Sequence, residues 1–185
     1  MIGTNRYIGS PVERIEDARL LRGRGQFVGD LKRVSMLHAA ILRSPVAHGH
    51  VAAVEAAAAL AIAGVRAVIT AKDIGPVPRI PLRLLPLPGT ERFLQPVIAA
   101  ERVRYVGEPV AVVLADSPAL AEDGVGAIAL NIEELPPVPD RRASGRRDVL
   151  LFEEAGTNEA MVFTGVNRFS RRAADVRPAV GLPGG

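Results

Sequence analysis

Cysteine and tryptophan are absent from the sequence, and aromatic residues of any kind are few. Without cysteine, the 185 residues can supply no disulfide, thiolate metal ligand, iron–sulfur ligand or cysteine nucleophile. Aromatic residues make up 4% of the chain and hydrophobic residues 48%, so alanine and aliphatic side chains have to build the core. Such a core favours half-buried strands and close helix-on-sheet packing over aromatic ligand-binding pockets.

Long hydrophobic runs are also missing. The first 23 residues are polar and charged and lack the apolar centre of a signal peptide. No run approaches the roughly 20 apolar residues that a membrane-spanning helix needs. We therefore expect a cytoplasmic protein with no membrane partner, folded as one domain with a tail.

Basic residues are unevenly distributed along the chain. The net charge is +3, yet residues 1–140 carry 15 basic and 15 acidic side chains, whereas residues 141–185 carry 8 and 5. The excess arginines could contact phosphates; they include Arg141, Arg142, Arg146, Arg147, Arg168, Arg171 and Arg172. Because five acidic residues accompany them, we expect a solvated tail and no nucleic-acid partner.

Hydrophobic patterning predicts short strands interrupted by few helices. Strands are predicted at 36–43, 50–55, 65–71, 103–106, 110–115 and 128–132. Helices are predicted at 56–63 and 118–127, with a single helical turn at 71–74 and a proline-rich extended loop at 75–95. This order indicates an α+β fold in which two short helices cover a mixed sheet, with the strand at 50–55 able to return antiparallel to the first.

The same patterning predicts three parts of the chain. Residues 1–35 form an extended N-terminal segment, 36–140 the folded body and 141–185 an irregular, arginine-rich tail. The last residues, RPAVGLPGG at 177–185, have the composition of disordered chain.

Three glycines, Gly23, Gly25 and Gly29, superficially resemble a dinucleotide-binding fingerprint. Their spacing is GxGxxxG, and no apolar strand precedes them. The fingerprint needs glycines between a strand and a helix so that backbone amides reach a pyrophosphate. We therefore interpret these glycines as a turn without a ligand.

The three histidines are the candidate metal ligands. His48 and His50 are two residues apart, which would place both imidazoles on one face of a strand, and His38 could lie on a neighbouring strand. No carboxylate stands as an obvious fourth ligand. We therefore expect hydrogen-bonded histidines and no metal site.

Ser44 and Glu108 are the candidate catalytic side chains. Ser44 precedes a proline and lacks the GxSxG context of a nucleophile, which favours a turn or capping role. Glu108 lies between Gly107 and Pro109 and could act as a base if buried. An acid that bonds nearby backbone amides in a turn is the favoured interpretation.

Two segments carry a resemblance to a known family. LHAAILRSPVAHGHV at 37–51 and VRYVGEPVAVVLAD at 103–116 are similar to segments of the aldehyde oxidase, xanthine dehydrogenase and carbon monoxide dehydrogenase large subunits. Weaker likeness extends over about residues 7–158. The residues that match the RSP-x-AH segment of the family are Arg43, Ser44, Pro45, Ala47 and His48.

The resemblance implies the N-terminal α/β-hammerhead domain of a molybdenum hydroxylase. In that family, a molybdopterin-type molybdenum cofactor oxidises aldehydes, purines, related heterocycles or carbon monoxide, and electrons pass to iron–sulfur and flavin subunits. The family's cofactor loops and catalytic glutamate follow the hammerhead and have no counterpart in this sequence. The resemblance therefore implies no catalytic, cofactor-binding or metal-ligating residue in this chain and leaves the substrate unspecified.

Two departures from the family suggest a fragment. Gly124 and Gly126 interrupt a helix that in the family continues through small and acidic residues, and from about Met161 onward the likeness ends. A truncated, frameshifted or split product is expected to have such an ending. One hypothesis is a non-catalytic hammerhead fragment, and the other is an interaction module that completes a separately encoded molybdenum-cofactor subunit.

Overall fold

A computed structural model describes residues 14–83 and 87–162. The chain divides into two compact units, Met1–Met36 and Leu37–Gly185. In the first unit, helix α1 spans Asp17–Leu21 and a 3-10 turn spans Val28–Asp30. The Asp30 carboxylate accepts a hydrogen bond from the Phe27 amide at 3.0 Å and closes that turn.

The second unit contains the strands and the remaining helices. Its strands are β1 His38–Arg43, β2 Gly49–Glu55, β3 Val65–Thr70, β4 Arg102–Val103, β5 Pro109–Ala115 and β6 Ala129–Glu134. Its helices are α2 Ala57–Leu60, α3 Ala71–Ile74, α4 Pro118–Gly126 and α5 Arg141–Arg146. Patterning therefore predicted the strands and principal helices in the correct order. None of the helices in the two described ranges is long and apolar enough to cross a membrane.

The predicted combination of short helices and sheet is confirmed, and the strands form two antiparallel sheets where a mixed sheet was expected. Sheet A has the order β1-β5-β3, and sheet B has the order β4-β2-β6. The prediction that β2 returns along β1 is wrong, because β2 pairs with β4 and β6. Pro45 has no amide hydrogen to continue the ladder after β1, and the chain turns there into the other sheet.

The core of sheet A lies between β5 and α4. Ala111, Val113 and Ala115 alternate along β5 and are fully buried. A Cβ atom added to Gly124 of α4 would lie 2.7 Å from Val113 Cγ1. The glycine that disfavours the helix by propensity therefore lets α4 approach the sheet closely.

Sheet B has its own core around Val103, which is fully buried together with Val110 and Ala99. Val110 belongs to β5 of sheet A, on the face opposite the one that α4 covers. Strand β5 thus contributes side chains to the cores on both of its faces.

The chain after residue 140 is folded as far as the structure describes it. The Asp140 carboxylate caps α5 by accepting hydrogen bonds from Arg142 N at 2.7 Å and Ala143 N at 2.9 Å. A 3-10 turn at Glu153–Ala155 follows. The composition predicted irregular chain here, and the predicted disordered end at 177–185 lies outside the described residues.

The proline-rich segment predicted as an extended loop at 75–95 has no α-helix or regular strand in its described part. It contains an isolated bridge between Ile80 and Gln95 and a 3-10 turn at Thr90–Phe93. Residues 84–86 are outside the described ranges. The segment continues through residues 96–101 into β4.

Candidate functional site

The two segments that carry the family resemblance pair along β1 and β5, and their turns meet at one end of sheet A. Ser44 N donates to Glu108 O at 2.9 Å, and Gly107 N donates to Ser44 O at 2.8 Å. The Arg43 guanidinium donates to Gly107 O at 2.8 Å. The segments are therefore joined through main-chain atoms and one arginine side chain.

The Ser44 hydroxyl is engaged within its own turn. The residue is buried, and its Oγ donates to Val46 O at 2.8 Å and accepts from Val46 N at 3.2 Å. These bonds are those of a serine that forms a turn. The geometry favours the predicted turn role of Ser44 over a nucleophilic one.

Glu108 is a buried carboxylic acid with only 1% of its surface exposed. Its Oε2 accepts a hydrogen bond from Arg104 N at 2.5 Å and closes the turn before β5. Burial raises the pKa of Glu108, while the Arg104 amide and guanidinium partly oppose the rise. The side chain bonds a nearby amide, as the turn interpretation expected.

The structure places His38 on a different sheet from His50. His38 lies on β1 in sheet A, His50 lies on β2 in sheet B, and His48 precedes β2. His48 is buried, with its Nδ1 at 2.9 Å from Pro136 O. Among residues 14–83 and 87–162, no group of three or more His, Asp or Glu side chains is placed to hold a metal ion.

The glycine motif follows a helix instead of a strand. Gly23 has a φ of +66° and comes two residues after the end of α1. Phosphate-binding loops of the fingerprint type run from a strand into a helix. The geometry around Gly23 is that of a turn, as interpreted from the sequence.

The arginine cluster of the tail is partly paired with acids. Arg146 Nε lies 3.2 Å from Asp148, and Arg147 Nη2 lies 2.8 Å from Glu159. These contacts neutralise charge that a phosphate would otherwise meet. Arg168, Arg171 and Arg172 lie outside the described residues.

A cleft of about 560 Å³ opens beside sheet B, where β4 meets the chain after α5. Its polar and aromatic walls include His50, Arg79, Arg102, Arg104, Phe152 and Glu153. Arg102 Nη2 lies 2.9 Å from Glu153 Oε1 and 3.4 Å from His50 Nε2. In this contact the guanidinium is the donor and the imidazole Nε2 the acceptor.

Arg104 holds residues 151 and 152 in place at one wall of the cleft. Its Nε donates to Leu151 O at 2.8 Å, and its guanidinium carbon lies 4.7 Å from the Phe152 ring centroid. Burial lowers the pKa of Arg104, with Arg102 and Arg79 acting in the same direction and Glu108 opposing. Sequence reasoning missed this cleft, since its walls are separated by about 50 residues and no spacing motif joins them.

Comparison with known proteins identifies the family. The family model for "Aldehyde oxidase and xanthine dehydrogenase, a/b hammerhead domain" matches residues 22–136, which is more than half of the chain. The chain belongs to this family. The match includes both segments that carry the resemblance, with the RSP residues at 43–45 and the GEP residues at 107–109, so the predicted resemblance is confirmed.

Two curated relatives show the extent of the similarity. The nicotine 6-hydroxylase large subunit of Paenarthrobacter nicotinovorans is 40% identical over 141 residues, covering 76% of this chain and 17% of that protein. The carbon monoxide dehydrogenase large chain of Hydrogenophaga pseudoflava is 41% identical over 125 residues, covering 68% and 15%. The chain thus spans about a sixth of the length of these relatives.

Solved structures confirm the hammerhead fold. Quinoline 2-oxidoreductase from Pseudomonas putida 86 matches with a TM-score of 0.59 and 41% identity, over 70% of this chain and 16% of that one. The aldehyde oxidoreductase of Desulfovibrio desulfuricans matches with a TM-score of 0.72 over 81% of this chain and 17% of that one. At 24% identity, the second likeness concerns the fold alone.

Proposed function

We propose that this chain provides the α/β-hammerhead part of a molybdenum hydroxylase large subunit and is not itself catalytic. The observation that carries the proposal is the family match over residues 22–136, combined with coverage of about a sixth of the relatives. In this proposal, the molybdenum cofactor and the substrate are bound by chain that lies outside the hammerhead. The substrate class stays open among those of the family.

The geometry of the candidate residues supports a structural role. The Ser44 hydroxyl is bonded within its turn, and the Glu108 carboxyl is shielded from solvent. A general base has to reach the proton that it removes, directly or through one water molecule. The two side chains instead close turns within their own segments, Ser44 with Val46 and Glu108 with Arg104.

The proposal is tested by expressing the full chain in a host that makes molybdenum cofactor. Molybdenum content is measured by mass spectrometry, and oxidation of benzaldehyde, xanthine and carbon monoxide is measured with an artificial electron acceptor. We expect no bound molybdenum and no turnover. An intact large subunit of the family, prepared identically, is the positive control, and turnover by the chain alone would contradict the proposal.

An exposed apolar face favours a second candidate function, that of an interaction module. The strand register identifies the residues on the face of sheet A opposite α4, since Val112 lies beside Ile41 and Ile69. We call this surface the sheet A face; it consists of Ala39, Ile41, Ala67, Ile69, Val112 and Leu114. All six are at least partly exposed to solvent, and Ile41 is 42% exposed.

In this second proposal, the sheet A face packs against a molybdenum-cofactor domain or subunit, and iron–sulfur and flavin subunits complete the assembly. Contiguous apolar surface of this kind marks protein interaction sites. The relatives named above are a large subunit and a large chain, which are terms for parts of assemblies. We propose the cytoplasm as the location, in line with the polar and charged first 23 residues.

A further inference from the structure

The cleft beside sheet B combines a fixed cation with a replaceable anion. The Arg102 side chain is only 11% exposed, whereas its partner Glu153 is 66% exposed. Glu153 lies on a short 3-10 turn at the mouth, and exposed carboxylates contribute little to the stability of an ion pair. A carboxylate from outside can therefore take the position of Glu153 without disturbing the core.

The rest of the cleft suits an apolar body attached to such a carboxylate. Pro96, Ala100 and Leu151 line it beside the ring of Phe152. That ring is held in place edge-on to Phe93, with centroids 5.6 Å apart, and by the Arg104 guanidinium on its face. A volume of about 560 Å³ is within the usual range for small-molecule sites.

The charges around the cleft select for a single negative charge. Three arginines line it, but Glu101, Glu153 and Glu154 line it as well. The three carboxylates would repel a phosphate monoester or a nucleotide, which carries about two or more negative charges at neutral pH. When one carboxylate displaces Glu153, the Arg102 guanidinium is still paired with a single negative charge.

We propose that this cleft binds a small organic monocarboxylate with an aromatic or aliphatic body, whose carboxylate replaces Glu153 on Arg102. The apolar body lies against Phe152, Leu151 and Pro96. Arg102 is suited to the task because its planar guanidinium presents paired donors that match the geometry of a carboxylate. This inference does not depend on the proposed function of the chain.

Isothermal titration calorimetry on the full chain tests the inference with benzoate and 3-phenylpropionate. Benzyl alcohol tests the need for the charge, acetate the need for the apolar body, and inorganic phosphate the preference for a monoanion. We expect the two aromatic acids to bind more tightly than all three of these. Equal binding of benzyl alcohol, or tighter binding of phosphate, would overturn the proposal.

Two substitutions have opposite expected effects. Arg102→Ala removes the cation and should weaken benzoate binding at least about tenfold, since a charge-assisted hydrogen bond is lost. Glu153→Gln removes the competing carboxylate and should tighten binding by up to about fivefold. A gain of affinity does not arise from misfolding, so the second variant remains decisive if the first fails to fold.

Arg66→Ala is the matched control, because Arg66 pairs with Asp116 on sheet A and does not line the cleft. It should leave benzoate affinity unchanged. No detectable benzoate binding by the unmodified chain, or equal affinity of the Glu153→Gln and unmodified chains, would refute the proposal. An equal loss in Arg66→Ala and Arg102→Ala would also refute it, since binding would then follow total charge.

Discussion

Glu108 carries a carboxyl group that the fold excludes almost completely from water. Burial disfavours its charged form and raises its pKa, although the Arg104 amide and guanidinium partly offset this effect. The folded chain therefore holds a proton on Glu108 at a higher pH than the unfolded chain does. Folding and proton binding at this residue are consequently coupled.

The coupling predicts how stability changes with pH. Because the folded pKa is raised, the contribution of Glu108 is fully present below its unfolded pKa and is lost as the pH rises through the folded value. The free energy of unfolding of the unmodified chain should thus increase relative to Glu108→Gln as the pH falls from about 7 to about 5.

Urea denaturation of both proteins at several pH values in that range measures this difference. Glu91→Gln serves as the control, since Glu91 is exposed and lies in a different turn. The free energy of unfolding of Glu91→Gln, relative to the unmodified chain, should not change with pH in the way expected for Glu108→Gln. If the free energy of unfolding of the unmodified chain instead decreases relative to that of Glu108→Gln as the pH falls, the coupling has the opposite sign.

Local turn chemistry made the roles of individual residues predictable from the sequence. Ser44 precedes a proline and Glu108 lies between a glycine and a proline, so both could be interpreted as turn residues. The position of His48 was not predictable. It depends on contact with the carbonyl of Pro136, 88 positions away, which no local pattern reveals.

At the level of elements, α4 shows a conflict between helix propensity and packing. Gly124→Ala should gain about 1 kcal/mol of propensity, yet the new Cβ would lie 2.7 Å from Val113 Cγ1. Overpacking of this kind costs about 1–3 kcal/mol. We expect a net loss of stability of about 1 kcal/mol in chemical denaturation.

Gly126→Ala provides the matched comparison in the same helix. Nothing lies within 4 Å of the Cβ that it would add. This variant should be unchanged or stabilised by up to about 1 kcal/mol. If both variants gain the same stability, the close approach of α4 to Val113 does not constrain the fold.

Element positions could be predicted because they depend on local periodicity, whereas strand pairing could not. The alternation along β5 and the serine cap before α4 are visible in the sequence. The choice of β2 to join β4 and β6 depends on side chains such as Val103 and Ile132 that meet only after folding. The strand pairing therefore differs from the prediction, in which β2 returned along β1.

At the scale of the whole molecule, the proposed interaction module docks through the sheet A face. Ile41→Glu places a charge on that face and should weaken co-purification with a molybdenum-cofactor chain of the family at least about tenfold. Ile41 is 42% exposed, so the isolated chain should stay folded.

Leu60→Glu is the control for this experiment. Leu60 is 51% exposed on α2, outside the sheet A face. Pull-down of a tagged chain, quantified for each variant, provides the measurement. Equal retention of the cofactor chain by both variants would exclude the sheet A face as the docking surface.

The cleft beside sheet B could not be predicted because it forms between parts of the chain that are distant in sequence. Arg104 contacts Leu151, 47 positions away, and Arg102 contacts Glu153. The arginine-rich composition after residue 140 suggested irregular chain. Composition does not show that residues 151 and 153 pack back against β4 and Arg104.

Among the described residues, three arginines donate to backbone carbonyl oxygens: Arg43 to Gly107, Arg79 to Leu94 and Arg104 to Leu151. Every amino acid supplies a carbonyl oxygen, so these contacts do not depend on the side chain at the accepting position. Mutational drift at residue 151 can proceed while its contact with Arg104 is kept. The contact therefore depends on the identity of the arginine alone. Lysine would not replace it, because lysine lacks the planar arrangement of donors.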